Sequence, residues 1–326
     1  LFMATDLKTS FAGIELKNPI IASASPMTMS VEQCVQLEKA GVAAIVVKSI
    51  FEESVHYNAN RLSDMQAHGE ENYYLDGYIG EHMLTEWREQ LRAIKSNCTI
   101  PVIASIAGVN LKTWERYAKA AVEEGADGLE LNFMNVGIAD RNTLFGTIER
   151  QFVEVAATVR KVTKLPIAVK IASNITTYAK LLDRMAAIGI EGAVLFNRPY
   201  PVDIDVEAQE YTSGNPLTSS NNLATPLRWT GILSAEVPNI DIALSGGVQQ
   251  WQDVVKAILA GASAVEVCST ILQNGVEQVG KMLDGVRDWQ ERHFEESVEG
   301  YRGRMNASNE EYAKQLKRAQ HFHFSI

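Results

Sequence analysis

The sequence predicts an α/β protein, a (β/α)8 TIM barrel with an N-terminal hairpin and a C-terminal helical extension. Three observations lead there. Short apolar runs rich in β-formers recur eight times, at 20–24, 43–48, 102–106, 129–133, 167–171, 193–197, 242–245 and 264–268. Each is followed by a stretch of helical spacing, and Gly41, Gly125, Gly189 and Gly261 close four of these helices, where a left-handed residue is wanted before the next strand. The runs are continuous rather than alternating, as expected of parallel strands covered on both faces. A doubly wound open sheet fits the same periodicity, because a repeat of strand and helix does not distinguish a closed barrel from a sheet with edges.

In chain order, residues 6–19 alternate apolar and polar around Gly13, which predicts a small hairpin capping the base of the barrel. Helical spacing then covers 31–40, 111–124, 147–162, 178–188 and 251–260 between the strands. Two connections are too long for bare turns and are expected to serve a site or an interface. The first, 50–98, carries NYYLDGYIG and a helix around 84–94. The second, 198–225, is rich in turn formers and, with Tyr200 and Tyr211, reads either as a homodimer surface or as a plain excursion. Beyond Gln273 the chain is helical to about 292, and a last helix lies near 310–318. One domain is expected over 1–326, with the barrel at about 19–292 and the helical tail at 293–326.

With 40 acidic against 30 basic side chains, the net charge of −10 argues against nucleic acid or an anionic membrane as partner. A small molecule is the expected ligand. Cys34, Cys98 and Cys268 are odd in number and widely spaced, unlike a disulfide framework or a cysteine metal site, and four thiolates for an iron–sulfur cluster are not there. No apolar run approaches the ~20 residues of a membrane span, and the opening residues lack the pattern of a secretory signal. The expected location is a reducing cytoplasm. His321 and His323 stand without a third ligand, so no metal site is read there.

The chemistry is expected where strands finish, because a barrel interior is packed and its loops converge at that end. Lys48, Asn132, Lys170 and Asn197 all end apolar runs. Lysine and asparagine also terminate strands for turn chemistry alone, but four at one rim point to a site. Gly246-Gly247 follows the seventh strand, where loops of this fold hold phosphate, and Cys268-Ser269-Thr270 at the end of the eighth would complete the cradle.

The runs NPIIASASPMT, KSI, SIAGVN, LELN, AVKI, LFN, SGGV and CST follow one another in an order and spacing that resembles the FMN-containing dihydroorotate dehydrogenases. The first run is also similar to the pyrimidine-reducing domain of dihydropyrimidine dehydrogenase, and the likeness covers about residues 8–280. The resemblance implies FMN across the strand ends. By it, Ala24 and Ser25 face the flavin ring, Lys48 and Ser49 lie beside ring and substrate, and Asn132 and Asn197 present amides to either. Lys170 is the cation at the N1/O2 edge, and Gly246, Gly247, Cys268 and Ser269 hold the phosphate. The implied reaction is oxidation of a dihydropyrimidine, dihydroorotate or a related ring, with hydride passing to flavin N5 and electrons leaving to a soluble acceptor or a partner subunit.

The chain departs from the family at two places. Where the family has a serine and then a cysteine or serine base, this chain reads Asn132-Phe133-Met134-Asn135-Val136-Gly137, with no thiol or hydroxyl side chain between Asn132 and Thr143. Asn135 keeps the substrate-binding role of the family's second asparagine, and Lys48 and Asn135 are the residues expected nearest the chemistry. The family's substrate loop is replaced by DMQAHGEENYYLDGYIGEH, in which His68, Tyr73, Tyr74, Tyr78 and His82 are the replacement candidates for the base. Cys34 and Cys98 read as incidental thiols. A Schiff-base lyase or aldolase using Lys170 or Lys48, and a flavin-binding homologue without turnover, are the competing readings.

Overall fold

The computed structural model describes residues 5–51, 71–134 and 144–318, and within the helix Glu71–Asn97 the side chains from 80 onward. The eight predicted runs form β3 (Ile20–Ala22), β4 (Ala44–Phe51), β5 (Val102–Ala107), β6 (Gly128–Phe133), β7 (Ile167–Ala172), β8 (Gly192–Asn197), β11 (Asp241–Ser245) and β12 (Ala264–Val267). Every barrel pair is parallel, and β12 pairs with β3, Val265 opposite Ile20, so the sheet closes on itself. That closure removes the open-sheet alternative.

Alternation along each strand sorts its side chains into two environments. Outward residues such as Ile20, Ile45, Val47, Leu129 and Ile167 join the apolar faces of the surrounding helices in one large core. Inward residues Ile21, Ala44, Val46, Ile103, Ala168, Val194, Ala243 and Ala264 pack with Phe11, Ala12, Ile14 and Leu16 of the N-terminal hairpin. The hairpin, β1 (Thr9–Phe11) with β2 (Ile14–Leu16), is therefore the plug of the base that the alternation predicts. Ala12 and Gly13 both take positive φ, 53° and 78°, the conformation a two-residue hairpin loop requires. Asp241 Oδ2 accepts from Ala12 N–H at 2.9 Å and ties the plug to the barrel.

Above this apolar layer, toward the ends of the strands, the barrel interior turns polar, with Ser23, Ser105, Glu130, Lys170, Ser245 and Glu266 all buried. The strands stop where turn chemistry takes over. β3 ends at Ala22, two residues short of its apolar run, because Ser25 caps the short helix Pro26–Thr28 and Thr28 Oγ1 accepts from Ser25 N–H at 3.1 Å. The glycines close their helices as expected: Gly41 and Gly261 are the caps, at φ 110° and 112°.

The 198–225 connection holds a hairpin of its own, β9 (Val202–Asp205) with β10 (Glu210–Ser213), in which every residue is exposed. The two four-residue strands, VDID and EYTS, sit among turn formers and are too short a pattern to register as strands. The helix in the 50–98 connection runs over Glu71–Asn97, well beyond the expected 84–94. After β12 come helices Ser269–Asn274, Glu277–His293, Val298–Tyr301 and Glu310–Leu316. Arg302 anchors this extension to the barrel by donating to Ser263 Oγ at 2.7 Å. Among the described residues no helix is long and apolar enough to cross a membrane.

Candidate functional site

At the strand ends the polar side chains form one connected system. Lys170 Nζ donates to Glu266 Oε2 at 2.6 Å and to Ser23 Oγ at 2.8 Å, and it lies 3.7 Å from Glu130 Oε2. Ser23 Oγ also donates to Glu266 Oε2, at 3.0 Å. On the other side of Glu130, Ser105 Oγ donates to Oε1 at 2.9 Å. Ser105 Oγ and Ser49 Oγ are 2.7 Å apart, Asn132 Nδ2 donates to Ser49 Oγ at 3.2 Å, and Asn197 Nδ2 donates to Asn132 Oδ1 at 2.6 Å. Strands β4, β5, β6, β7, β8 and β12 each contribute at least one side chain, and Ser23 follows directly on β3.

A bulge in β4 brings Ser49 into this system. Val47 pairs with Ala104 and Ile50 with Ile106, so Lys48 and Ser49 together face the single residue Ser105. The alternation that puts Val46 inside and Val47 outside directs Lys48 inward, and the extra residue turns Ser49 inward too, onto Ser105 Oγ. Lys48 is half-buried, and its main-chain carbonyl accepts from Trp87 Nε1 at 3.1 Å.

Glu130 and Lys170 are 1 % and 5 % exposed, which makes their charges interdependent. Burial works to lower the lysine, but the Glu130 and Glu266 carboxylates outweigh it and hold the ammonium above the ordinary lysine range. Burial first and the charge of Glu266 second push the Glu130 carboxyl up to about 8, against the pull of Lys170. Two carboxylates and one ammonium would leave a negative charge uncompensated in the interior; a proton on Glu130 removes it.

The remaining rim residues fall into two corners. Ala24 packs on the inner cluster, and Ser25 lies close enough to the Cys268 thiol to act on it, with Lys170 nearby. Burial raises the Cys268 thiol, with Ser25 and Lys170 pulling the other way. At the second corner, Gly247 N–H donates to Thr218 Oγ1 at 3.3 Å, and Ser269 Oγ accepts from Thr218 N–H at 2.9 Å. A Cβ at Gly247 would stand 2.3 Å from Leu223 N, whereas one at Gly246 would face open space. The predicted phosphate cradle is thus lined by Thr218 as well, a residue on the 198–225 connection that the sequence reading did not single out.

Asn135, His68, His321 and His323 lie outside the described residues, as do the side chains of Tyr73, Tyr74 and Tyr78. His82 is exposed on its helix, 3.3 Å from Glu86. Cys34 and Cys98 are buried, and their thiols are pushed to about 12 and about 11, chiefly by that burial, which suits incidental thiols. Ser23, Ser105, Glu130 and Glu266 were missed from the sequence. The signal was one glutamate inside each of two apolar strands, LELNF and AVEV, where burial on both faces gives a charge no reason to be unless it points into the barrel.

The dihydroorotate dehydrogenase family profile matches residues 6–289. The catalytic subunit of dihydroorotate dehydrogenase B (NAD(+)) from Methanocaldococcus jannaschii is 24 % identical over 291 residues, covering 86 % of this chain and 92 % of its own length. The same subunit from Methanosarcina acetivorans is 26 % identical over 274 residues, covering 80 % and 84 %. The NAD-dependent dihydropyrimidine dehydrogenase subunit PreA of Escherichia coli K12 is 26 % identical over 306 residues, covering 87 % of this chain and 73 % of that protein. Since the profile runs from ahead of the first barrel strand to the helix Glu277–His293 beyond the last, the chain belongs to the dihydroorotate dehydrogenase family, whose members named here are dehydrogenases.

Proposed function

We propose that the strand-end rim binds FMN and that the protein is an FMN-dependent oxidoreductase acting on the saturated C–C bond of a dihydropyrimidine, dihydroorotate or a related ring. The observation that carries this is the state of Lys170. Its ammonium has three N–H donors, two engaged by Glu266 and Ser23, which leaves one for an acceptor on a ligand. The surroundings suit the cofactor: Ala24 and Ser25 are small side chains, and Gly246 borders open space. When bound, the flavin supplies the two-electron acceptor for the hydride leaving the substrate.

In this reading Lys170 provides a fixed cation where negative charge develops. Asn132, held by Ser49 and Asn197, presents an amide in a set orientation, and Asn197, Lys48 and Asn135 complete the substrate contacts. Gly246, Gly247, Cys268 and Ser269 hold the phosphate with Thr218. The protein works in the cytoplasm with a partner subunit or a soluble carrier that takes the electrons, a reading supported by the three relatives whose names call them subunits. The aldolase reading is weakened at Lys170, because an ammonium held above the ordinary range by two carboxylates is a poor Schiff-base nucleophile.

The test is the visible spectrum of the purified protein, followed by anaerobic addition of dihydroorotate, dihydrouracil or NADH. A flavin spectrum that bleaches with one of them is expected. Protein that takes up no flavin on reconstitution would remove the proposal, and flavin that no reductant bleaches would leave a binding protein without turnover.

A further inference from the structure

We infer that Glu130 receives the proton released when substrate is oxidised, and that the proton reaches it from the strand-end site through the hydroxyls of Ser49 and Ser105. The inference rests on the function proposed above, and it answers the question the sequence poses: between Asn132 and Thr143 no side chain can serve as the family's thiol or hydroxyl base.

The hydrogen bonds all run the same way. When Glu130 is ionised, Ser105 directs its hydroxyl proton at Glu130 Oε1, so of the Ser49–Ser105 pair, in which either hydroxyl can donate, it is then Ser49 that does. Asn132 Nδ2 donates to Ser49 Oγ, which therefore offers no competing acceptor to the Ser49 proton. The remaining lone pair of Ser49 is available to accept from a ligand at the rim.

Transfer is a concerted shift along this line. The substrate C–H bond breaks and its proton bonds to Ser49 Oγ; the Ser49 proton moves to Ser105 Oγ, and the Ser105 proton to Glu130 Oε1. Both serines end as hydroxyls and Glu130 changes from carboxylate to carboxylic acid; the electron pair of the broken C–H bond forms the ring C=C bond, and the C–H bond on the neighbouring carbon would give up its hydrogen with its electron pair as hydride to a bound flavin. Glu130 is a positioning and storage group and touches neither substrate nor cofactor.

The groups facing Glu130 explain why it can do this. Lys170 from β7 is at 3.7 Å, Glu266 from β12 repels it, and Ser105 from β5 donates to it. Its Oε2 is buried and, as a carboxylate oxygen, accepts no hydrogen bond, whereas a proton on Glu130 can be shared with the Glu266 carboxylate. An ionised carboxylate there is short of compensation, which makes it a stronger base than an exposed glutamate. With the carboxyl pushed up to about 8, the protonated and ionised forms are both within reach near neutral pH, as proton uptake and release require.

Infrared spectra of the purified chain test this without substrate. A protonated-carboxyl band that fades as pH rises through about 8, and is missing from Glu130→Gln, is expected. In heavy water the band shifts as the proton exchanges, and Ser105→Ala, which interrupts the line but keeps the carboxyl, should slow that exchange about tenfold or more. With a dihydropyrimidine that bleaches the flavin, the single-turnover rate should rise with pH through the same midpoint, and Ser105→Ala should lower it roughly 100-fold at unchanged flavin content. No such band in the wild type, a band that survives Glu130→Gln, or Ser105→Ala exchanging and turning over like the wild type would overturn the inference. A flavin that nothing bleaches would defeat the proposed function alone, since the band and its exchange rate are read without substrate.

Discussion

Lys170 shows how one residue can be legible while its meaning is not. A lysine ending the apolar run PIAV is visible in the sequence, but its two carboxylate partners sit on β6 and β12. Replacing it by methionine leaves Glu130 and Glu266 facing each other without a cation, so Lys170→Met should cost about 3–5 kcal/mol in urea unfolding at neutral pH. The loss should shrink in a Glu266→Gln background, where the cation has one carboxylate fewer to offset; an equal loss in both backgrounds would contradict the arrangement. Glu130 carries a pH signature of its own. Its carboxyl is raised on folding from 4.5 to about 8, so its favourable contribution is complete below the unfolded value and is lost as pH rises through about 8. Glu130→Gln cannot ionise, and its stability relative to the wild type should rise by up to roughly a few kcal/mol between about pH 5 and pH 9. A difference independent of pH would show that the carboxyl titrates normally.

At the scale of elements, small features set the positions of larger ones. The bulge in β4 is one extra residue, yet without it Ser49 would face the outer helices and the line from Asn132 to Ser105 would be broken. It could not be read from the sequence, because VVKSIF carries no glycine or other bulge signal and the irregularity is defined only against β5. The basal hairpin was legible, since its alternation and Gly13 are local. What it requires of its neighbours was not: a Cβ at Gly192 would come within 2.8 Å of the Ala12 Cβ and 2.9 Å of Phe11 Cζ. Gly192→Ala should therefore push the plug outward and cost about 1–3 kcal/mol, read as a lowered thermal midpoint. Wild-type stability in that variant would mean that the hairpin is not seated on β8.

For the whole molecule, closure of β12 onto β3 is what makes a rim at all. It brings Ser23 and Glu266, 243 residues apart, to 3.0 Å, and Lys170 to both. A ligand bound to such an assembled rim stabilises the native fold by mass action, about 2.7 kcal/mol at 100 times its Kd. Thermal unfolding of the flavin-free protein should accordingly rise with added FMN and rise less with riboflavin, which lacks the phosphate. Equal shifts would remove Gly246, Gly247 and Ser269 from the proposed phosphate corner. The sequence by itself determined the order of strands and helices, the glycines that end the helices and the residues that finish most strands, because periodicity, capping and turn chemistry act over a few neighbouring residues. Only the tertiary structure decided that the sheet closes, that Glu130 and Glu266 share one lysine, that Thr218 bonds to Gly247 and Ser269 and that two serines connect the rim to a buried carboxyl. Those facts depend on distances between segments remote along the chain, and such distances exist only once the barrel has closed.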